Sequence, residues 1–458
     1  MQNRKLILVN PLGKRHSGLA LDKTGRHPPL SLAIIAALCP DNWEIVLKDE
    51  NFEPFEFEEG DLVGITSFTS SATRAYEIAG FYRDKKIPVV MGGVHASMLI
   101  DEALNYVDTV VVGEAESVWG DLLEDFEKGE MKKVYTGERL SLDKIPIARH
   151  DIFSDDYLFD SIQTTRGCPM NCEFCSVTVF NGNAYRMRPV EDVLDELETI
   201  RANSFMFIDD NIVGYNSKSK EHAKSLFRGM IERGIKKDWM CQATINFADD
   251  DELLELAAKS GCRMVFIGVE SENTKALEKI KKRSNLKVGV DNYPKIFNKI
   301  RSYGISVLGA FIFGLETDTM EDLKARIKYI KESNIDALQI SFLTPVPGTD
   351  LYDKFIEDKR VLKANYPQDW EYYDGFEILI HPAMVTAQQL EEIKWEIASE
   401  IYDYDRLVKR LSNTLKATKN PKSAAWAFSA NSHYHNILFE NDKSKHIGVM
   451  SLLDALNK

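Results

Sequence analysis

The sequence predicts an α/β protein with two parallel-sheet units and a helical C-terminal region, and three observations carry that reading. Short apolar runs alternate with helical patterns twice along the chain, the signature of βαβ units. The second series has six such units, short of the eight of a closed barrel. After Thr349 the alternation gives way to aromatic-rich loops and then to apolar residues spaced by three and four. Residues 1–140 therefore read as a doubly wound parallel-sheet domain and 141–159 as a connection. Residues 160–349 read as a partial (β/α)6 barrel, and 350–458 as a mainly helical region that caps it.

In the first unit, strands are predicted at 6–9, 43–47, 62–66, 88–91 and 109–112, with helices at 30–38, 71–83, 100–105 and 117–127. Several strands end in small or polar residues, such as Asn10-Pro11, Ser67, Gly92-Gly93 and Gly113-Glu114. Ligands of open α/β sheets bind at those carboxyl ends. No GxGxxG follows the first strand, so a nicotinamide or flavin dinucleotide lacks its usual cradle. The stretch 133–159 has mixed charge, Pro146 and little periodicity, as a connection would.

In the second unit, strands are predicted at 161–165, 204–208, 238–243, 263–269, 306–313 and 337–343. The helices between them fall at 190–202, 217–233, 251–260, 288–303 and 320–333. Pro189 suits the start of the first of these, where Val193, Leu194, Leu197 and Ile200 share a face. Farther on, Thr386 and Gln389 form a capping-box pair. The stripe Leu390, Ile393, Ile397, Ile401, Tyr404, Val408 and Leu411 reads as core packing, with a partner-docking face as the alternative. Arg406, Lys409, Arg410, Lys416, Lys419 and Lys422 read as a solvated face near the helix end.

Lys and Arg number 57 against 71 Asp and Glu, a net charge of −14, which disfavours broad contact with nucleic-acid phosphates. The longest apolar stretches, 30–39 and 307–315, are shorter than the ~18–20 residues of a membrane span. Met1-Gln2-Asn3-Arg4-Lys5 leads into the first strand without a small-residue cleavage site. A cytoplasmic protein is expected, with room for peripheral membrane association.

Of the six cysteines, Cys39, Cys241 and Cys262 are scattered, whereas Cys168-Pro169-Met170-Asn171-Cys172-Glu173-Phe174-Cys175 forms a CxxxCxxC motif after the first barrel strand. Thiolates select soft metals, chiefly zinc or iron–sulfur clusters. A structural zinc site wants four ligands. His150, His222 and Cys241 are distant in sequence, so the motif supplies three ligands, and a closed site with a remote fourth stays as the alternative. Three thiolates on a four-iron cubane leave one iron open to a chelating small molecule.

Thr165-Arg166-Gly167-Cys168 through Cys175, with Phe174 before the last cysteine, resembles the signature of the radical S-adenosylmethionine (SAM) superfamily. That resemblance implies a [4Fe-4S] cluster on Cys168, Cys172 and Cys175 that cleaves SAM to a deoxyadenosyl radical. It also implies oxygen sensitivity and reduction by flavodoxin or ferredoxin. Further pieces match in order. Phe207-Ile208-Asp209-Asp210-Asn211 ends the second strand, Gly268-Val269-Glu270-Ser271 the fourth, and Gly309-Ala310-Phe311-Ile312-Phe313-Gly314 lies on the fifth. Leu343-Thr344 closes the sixth. The implied SAM contacts are Phe174, Asp209, Asp210, Glu270, Ser271, Gly309, Ile312 and Thr344. Read singly, the aspartates also serve as caps and Glu270 as an exposed strand-end carboxylate.

The first domain resembles the cobalamin-binding domain that precedes the barrel in one subfamily. The matching phrases are Pro28-Pro29-Leu30-Ser31-Leu32, Leu62-Val63-Gly64-Ile65-Thr66-Ser67, Val90-Met91-Gly92-Gly93-Val94-His95 and Val112-Gly113-Glu114-Ala115-Glu116. The implied cobalamin contacts are Thr66, Ser67, Gly92, Gly93, His95, Gly113 and Glu114. The DxHxxG element that supplies cobalt with a histidine is absent, the corresponding stretch being Lys48-Asp49-Glu50-Asn51-Phe52-Glu53-Pro54. His95 reads as a replacement ligand or, more commonly for such a position, as a hydrogen-bonding loop residue.

Pro345 through Tyr352 and Asp369 through Gly375 resemble the hopanoid methylases and related lipid- or pigment-modifying enzymes. The implied activity is cobalamin-dependent methylation of an unactivated carbon in a lipid-like, pigment or other small-molecule substrate. Carbon–carbon coupling, ring formation or oxidation is the alternative, and a non-catalytic metal-binding protein the remote one. Trp370, Tyr372, Tyr373 and Phe376 read as pocket lining or as packing. His433-Tyr434-His435 lacks a third ligand and reads as surface or substrate-pocket residues rather than a metal pair.

Overall fold

Leu6, Ile7, Leu8 and Val9 are fully buried, so the first apolar run is covered on both faces, as a central parallel strand must be. The computed structural model describes residues 3–13, 15, 26–439 and 445–447, so Met1 and Gln2 lie outside the described residues. The run belongs to β1 (Arg4–Asn10), flanked by β2 (Trp43–Asp49) and β3 (Leu62–Thr66). Beyond β3 follow β4 (Val89–Gly92), β5 (Thr109–Val112) and β6 (Val134–Thr136). Every pairing is parallel. The sequence does not predict β6, because three residues on a sheet edge produce no periodicity.

The second sheet runs β14-β13-β12-β11-β10-β7. Its strands are β7 (Asp160–Ile162), β10 (Ser204–Phe207), β11 (Asp238–Ala243), β12 (Cys262–Glu270), β13 (Ser306–Phe313) and β14 (Ala337–Phe342), all parallel. The expected strand 161–165 is shorter. Past Ile162, the Asp209 carboxylate replaces a neighbouring strand by accepting from Thr164 N (3.1 Å), from Thr164 Oγ1 (2.8 Å), and from the backbone and hydroxyl of Thr165. The chain then turns into a separate antiparallel pair, β8 (Thr165–Arg166) with β9 (Arg186–Met187). The helix expected at 288–303 begins later, as Tyr293–Ser302, because Gly289 has φ +82° and Pro294 occupies its first turn.

Six strands leave the barrel open between β14 and β7, and the helix Pro421–Leu438 packs against β14, β13 and β12. Its Asn431 Oδ1 accepts from Leu338 N (3.1 Å) and its Nδ2 donates to Asp336 O (2.9 Å), which satisfies part of the β14 edge. Trp426 packs 4.9 Å from Phe159, just ahead of β7. The long C-terminal stripe divides into helices Ala387–Glu400 and Tyr404–Thr418, the second capped by Asp403. Leu390, Ile393, Ile397 and Ile401 enter the core and Leu411 packs against it, but Tyr404 and Val408 are exposed, so the packing expectation fails at those two positions. Arg410 departs from the solvated face: burial lowers its pKa to about 10. Among the described residues no helix is long and apolar enough to cross a membrane.

The barrel meets the connection at a buried charged cluster. His150 Nδ1 lies 2.9 Å from Asp160 Oδ1 and its Nε2 3.2 Å from Glu196 Oε1, while Arg188 Nη2 donates to Glu196 Oε2 (2.7 Å). Burial alone would lower the His150 pKa, but its bonds to Asp160 and Glu196 carry it up to about 9 from 6.5. The raised value means that this contribution, on the order of 3 kcal/mol, is complete below the unfolded pKa and disappears as pH rises through the folded one. Thermal unfolding from neutral to alkaline pH should show wild-type protein losing stability through about pH 9. His150→Gln should lack that step, and an alkaline profile identical to wild type would contradict the assignment.

Candidate active site

The cysteine loop starts where the two domains touch. Arg166 Nη2 donates to Glu116 Oε1 (2.7 Å) and its Nη1 lies 3.2 Å from Glu114 Oε2. Arg186, on the opposite strand of the hairpin, donates to the same Glu114 carboxylate and to Leu140 O. Gly167 follows with φ +93°, and a Cβ there would stand 2.1 Å from Ala184 O, so only glycine fits. Cys168 N then donates to Gly182 O (3.0 Å) and Cys175 N to Cys172 O (3.1 Å).

Cys168, Cys172 and Cys175 line one end of a cavity of about 800 Å³. Burial raises the Cys172 and Cys175 pKa values, the latter to about 12, so a metal must displace protons to bind these thiols. Among the described residues no group of three or more His, Cys, Asp or Glu side chains is set to hold a single metal ion. The remote ligands that a closed site would need are engaged elsewhere. His150 joins Asp160 and Glu196, His222 Nε2 bonds Arg188 O at 2.7 Å, and Cys241 is buried in the barrel core. A donor set of three separated thiols facing open space suits a multi-iron cluster with one free coordination position.

Around that end, Phe174, Asp210, Glu270, Ile312 and Thr344 line the cavity. Lys282, which the sequence reading misses, joins them and lies 2.6 Å from Glu270 Oε1. Burial alone would lower the Lys282 pKa, but Glu270 and the neighbouring Cys172 raise it, so it remains a cation. Glu270 itself has φ +62°, an unusual conformation for a glutamate, and is buried rather than exposed. Three other expected contacts lie elsewhere. Asp209 is spent on Thr164 and Thr165, and burial lifts its pKa to about 6 against those hydrogen bonds. Ser271 accepts from Arg326 Nη2 (2.9 Å). Gly309 faces the helices, its missing Cβ 3.1 Å from Ile335, because only alternate strand residues point inward.

That alternation builds the rest of the cavity. Met240 and Gln242 of β11, Met264, Phe266 and Gly268 of β12, Leu308 and Ala310 of β13, and Gln339 and Ser341 of β14 all face it. Phe159, Phe376, Trp426, His433 and Tyr434 complete the far wall, with Tyr434 donating to Gln339 Oε1 (2.6 Å). Tyr373 also lines the cavity, whereas Trp370 belongs to the domain interface, donating to Glu102 Oε1 (2.8 Å), and Tyr372 stacks with Arg15 and Lys363. His433 and His435 diverge: His435 bonds Tyr402 O and Lys445 O.

At the carboxyl edge of the first sheet, Ser67 Oγ is buried without a partner among the described residues. Gly92 has nothing within 3.7 Å of its missing Cβ, and Gly113 has φ +76°. A flat group laid across this edge would meet little side chain, so the edge beside Thr66 fits a corrin. Two expected contacts have protein partners. Glu114 is held by Arg166 and Arg186. His95 is fully buried, its Nε2 2.9 Å from Tyr76 OH and its ring edge-on to Trp370, while its Nδ1 has no partner among the described residues. Gly93 is needed by its own chain, since a Cβ would stand 2.8 Å from Ser67 O.

The Radical SAM superfamily model matches residues 162–330 and the B12 binding domain model residues 18–123. The chain is 30% identical over 428 residues to bacteriochlorophyllide d C-12(1)-methyltransferase of Chlorobaculum tepidum, covering 89% of each chain. It is 30% identical over 348 residues to hopanoid C-2 methylase of Rhodopseudomonas palustris, covering 73% of this chain and 65% of that protein. Among solved structures, the radical S-adenosylmethionine methyltransferase TsrM from Kitasatospora setae, with cobalamin and a [4Fe-4S] cluster bound, shares the fold. It superposes with a TM-score of 0.68 at 17% identity, covering 96% of this chain and all of that one. The chain belongs to the radical SAM superfamily, in the group that carries a B12-binding domain ahead of the barrel.

Proposed function

We propose that this protein is a cobalamin-dependent radical SAM methyltransferase that adds a methyl group to an unactivated carbon of a mainly apolar small molecule. The observation that supports it best is one cavity that carries the three thiols and an apolar wall, with the B12-type sheet tied to the cysteine loop through Glu114. Cys168, Cys172 and Cys175 would hold the cluster. Phe174, Asp210, Glu270, Lys282, Ile312 and Thr344 would hold SAM, and Thr66, Ser67, Gly92 and Gly113 would meet the corrin. When bound, these groups supply an electron for splitting SAM and a transferable methyl group.

The protein's own part is to place and to exclude. Lys282 and Glu270 present a cation and a carboxylate beside the thiols, complementary to the charged carboxylate and amine of a methionine moiety. Met240, Met264, Phe266 and Leu308 keep water and exchangeable hydrogens from the far half of the cavity, where a carbon radical would otherwise be quenched. Gln242, Gln339 and Tyr434 offer a few hydrogen bonds in an otherwise apolar wall, the usual arrangement for orienting a hydrophobic ligand. Phe376 and the helix Pro421–Leu438 close the substrate side. Reduction by flavodoxin or ferredoxin in the cytoplasm completes the reading.

The relatives named above act on a pigment and on a hopanoid, so extracts of both classes are the first substrates to try. Anaerobically reconstituted protein supplied with reductant, SAM and cobalamin should yield a product in which a methyl group replaces one hydrogen, a net gain of CH2, with S-adenosylhomocysteine and deoxyadenosine in equal amounts. A product with no added carbon would replace methylation with coupling, ring formation or oxidation. Cys172→Ala should abolish deoxyadenosine formation while leaving the fold intact, and appreciable residual cleavage would overturn the ligand assignment. Met264→Trp should fill the apolar end and lower product formation by roughly tenfold, a barrier change of about 1.4 kcal/mol. Deoxyadenosine formation should persist in that variant, and its equal loss would contradict the division of the cavity.

A further inference from the structure

The segment after Asp210 is built more tightly than a connecting loop requires. Gly214 has φ +58°, and a Cβ there would stand 2.3 Å from Ser219 Oγ and 2.9 Å from the Tyr185 ring. Gly214 O accepts from Asn211 Nδ2 (3.1 Å) and from Asn246 Nδ2 (2.9 Å). Tyr215 N donates to Ser219 Oγ (3.0 Å), the residue that closes the capping box of the next helix. Tyr185 lies edge-on to the Tyr215 ring at 6.2 Å and donates to Asn211 O (2.6 Å). With its backbone fixed and its ring supported, Tyr215 has little freedom. Its hydroxyl stands 3.0 Å from Cys168 Sγ.

We propose that Tyr215 is a positioning residue that donates a hydrogen bond to the Cys168 sulfur and thereby raises the reduction potential of the iron–sulfur cluster; the inference rests on the cluster site described above. The direction of the bond follows from elementary chemistry. A cysteine bound to iron has lost its proton and can only accept, and a phenol with an ordinary pKa of about 10 carries its proton at neutral pH. A reduced cluster holds one more negative charge than an oxidised one, and that charge is shared with the sulfurs. A donor at a sulfur therefore stabilises the reduced form more, and the potential rises. Among the described residues Tyr215 is the one side-chain hydroxyl bonded to a motif sulfur. Cys172 Sγ lies 4.0 Å from the Lys281 carbonyl, an acceptor that offers a thiolate no proton. None of the strand-end motifs that mark the cofactor site includes Tyr215, yet the over-determined loop places it against the first cysteine.

Tyr215→Phe removes the hydroxyl and keeps the ring. Wild-type and variant proteins, reconstituted anaerobically with iron and sulfide, should bind equal amounts of both. Redox titration followed by electron paramagnetic resonance should give a lower midpoint potential for the variant. Tyr303→Phe, which removes a hydroxyl bonded to Asp251 away from the cysteine loop, should leave the potential at the wild-type value. An unchanged potential in a fully loaded Tyr215→Phe protein would overturn the proposal. So would loss of the cluster from that variant alone, which would make Tyr215 a builder of the loop. Wild-type protein that binds zinc or no iron would instead refute the cluster site itself, before Tyr215 is tested.

Discussion

Two buried carboxylates hold the start of the 168–175 loop, and the rest of the site depends on them. Asp209, from the end of β10, accepts from the Thr164 and Thr165 backbone and hydroxyl groups, which stops β7 and turns the chain. Glu114, from the first domain, accepts from Arg186 and pairs with Arg166. Together they fix the chain three residues before Cys168, one from inside the barrel and one from the other domain. Removing one member of a buried ionic cluster costs roughly 3–5 kcal/mol, because the remaining charge is stranded. The loop between Gly167 and Cys175 has no long element of its own, so its position is inherited from these anchors.

The period of two in the barrel strands does the remaining division of labour. Residues 264, 266, 268 and 270 of β12 face the cavity in sequence, and their character changes from thioether and aromatic to glycine and a paired carboxylate. Gly268 marks the transition, for a Cβ at that position would stand 2.3 Å from Glu270 Oε1 and 2.7 Å from Lys282 Nζ. One strand thus carries both ends of the cavity, the polar end beside the thiols and the apolar end against the Pro421–Leu438 helix. That helix also relieves a liability. An open six-stranded sheet exposes the edge of β14, and Asn431 and Tyr402 engage the backbone of Leu338 there while Trp426 packs against Phe159.

Much of this was legible in the residue pattern. The CxxxCxxC motif and the two βα series point to the sheets and to the chemistry, because both are local signals. Where a side chain points is not carried by the pattern. Asp209, Ser271 and Gly309 sit beside residues that do face the cavity, and one step along a strand or past its end is enough to reverse direction. Motif position points to Glu114 and His95, but their partners, Arg166, Arg186, Tyr76 and Trp370, come from distant parts of the chain. Lys282 and Tyr215 were missed because each acts by spatial proximity alone. The stripe from Leu390 to Leu411 looked continuous because a three-residue break at 401–403 barely alters its spacing. Counting inward positions along β11 to β14 would have recovered Met240, Gln242, Met264, Leu308 and Gln339.

An open iron–sulfur cluster and a corrin sharing one chain are the centre of the proposed chemistry. Anomalous diffraction from crystals of anaerobically loaded protein, recorded at the iron and cobalt edges, tests this most directly. A compact iron peak against Cys168, Cys172 and Cys175 with no fourth side chain, and a cobalt peak between the Gly92–Gly113 edge and the cavity, is the predicted result. A single saturated zinc ion at the cysteines would contradict it.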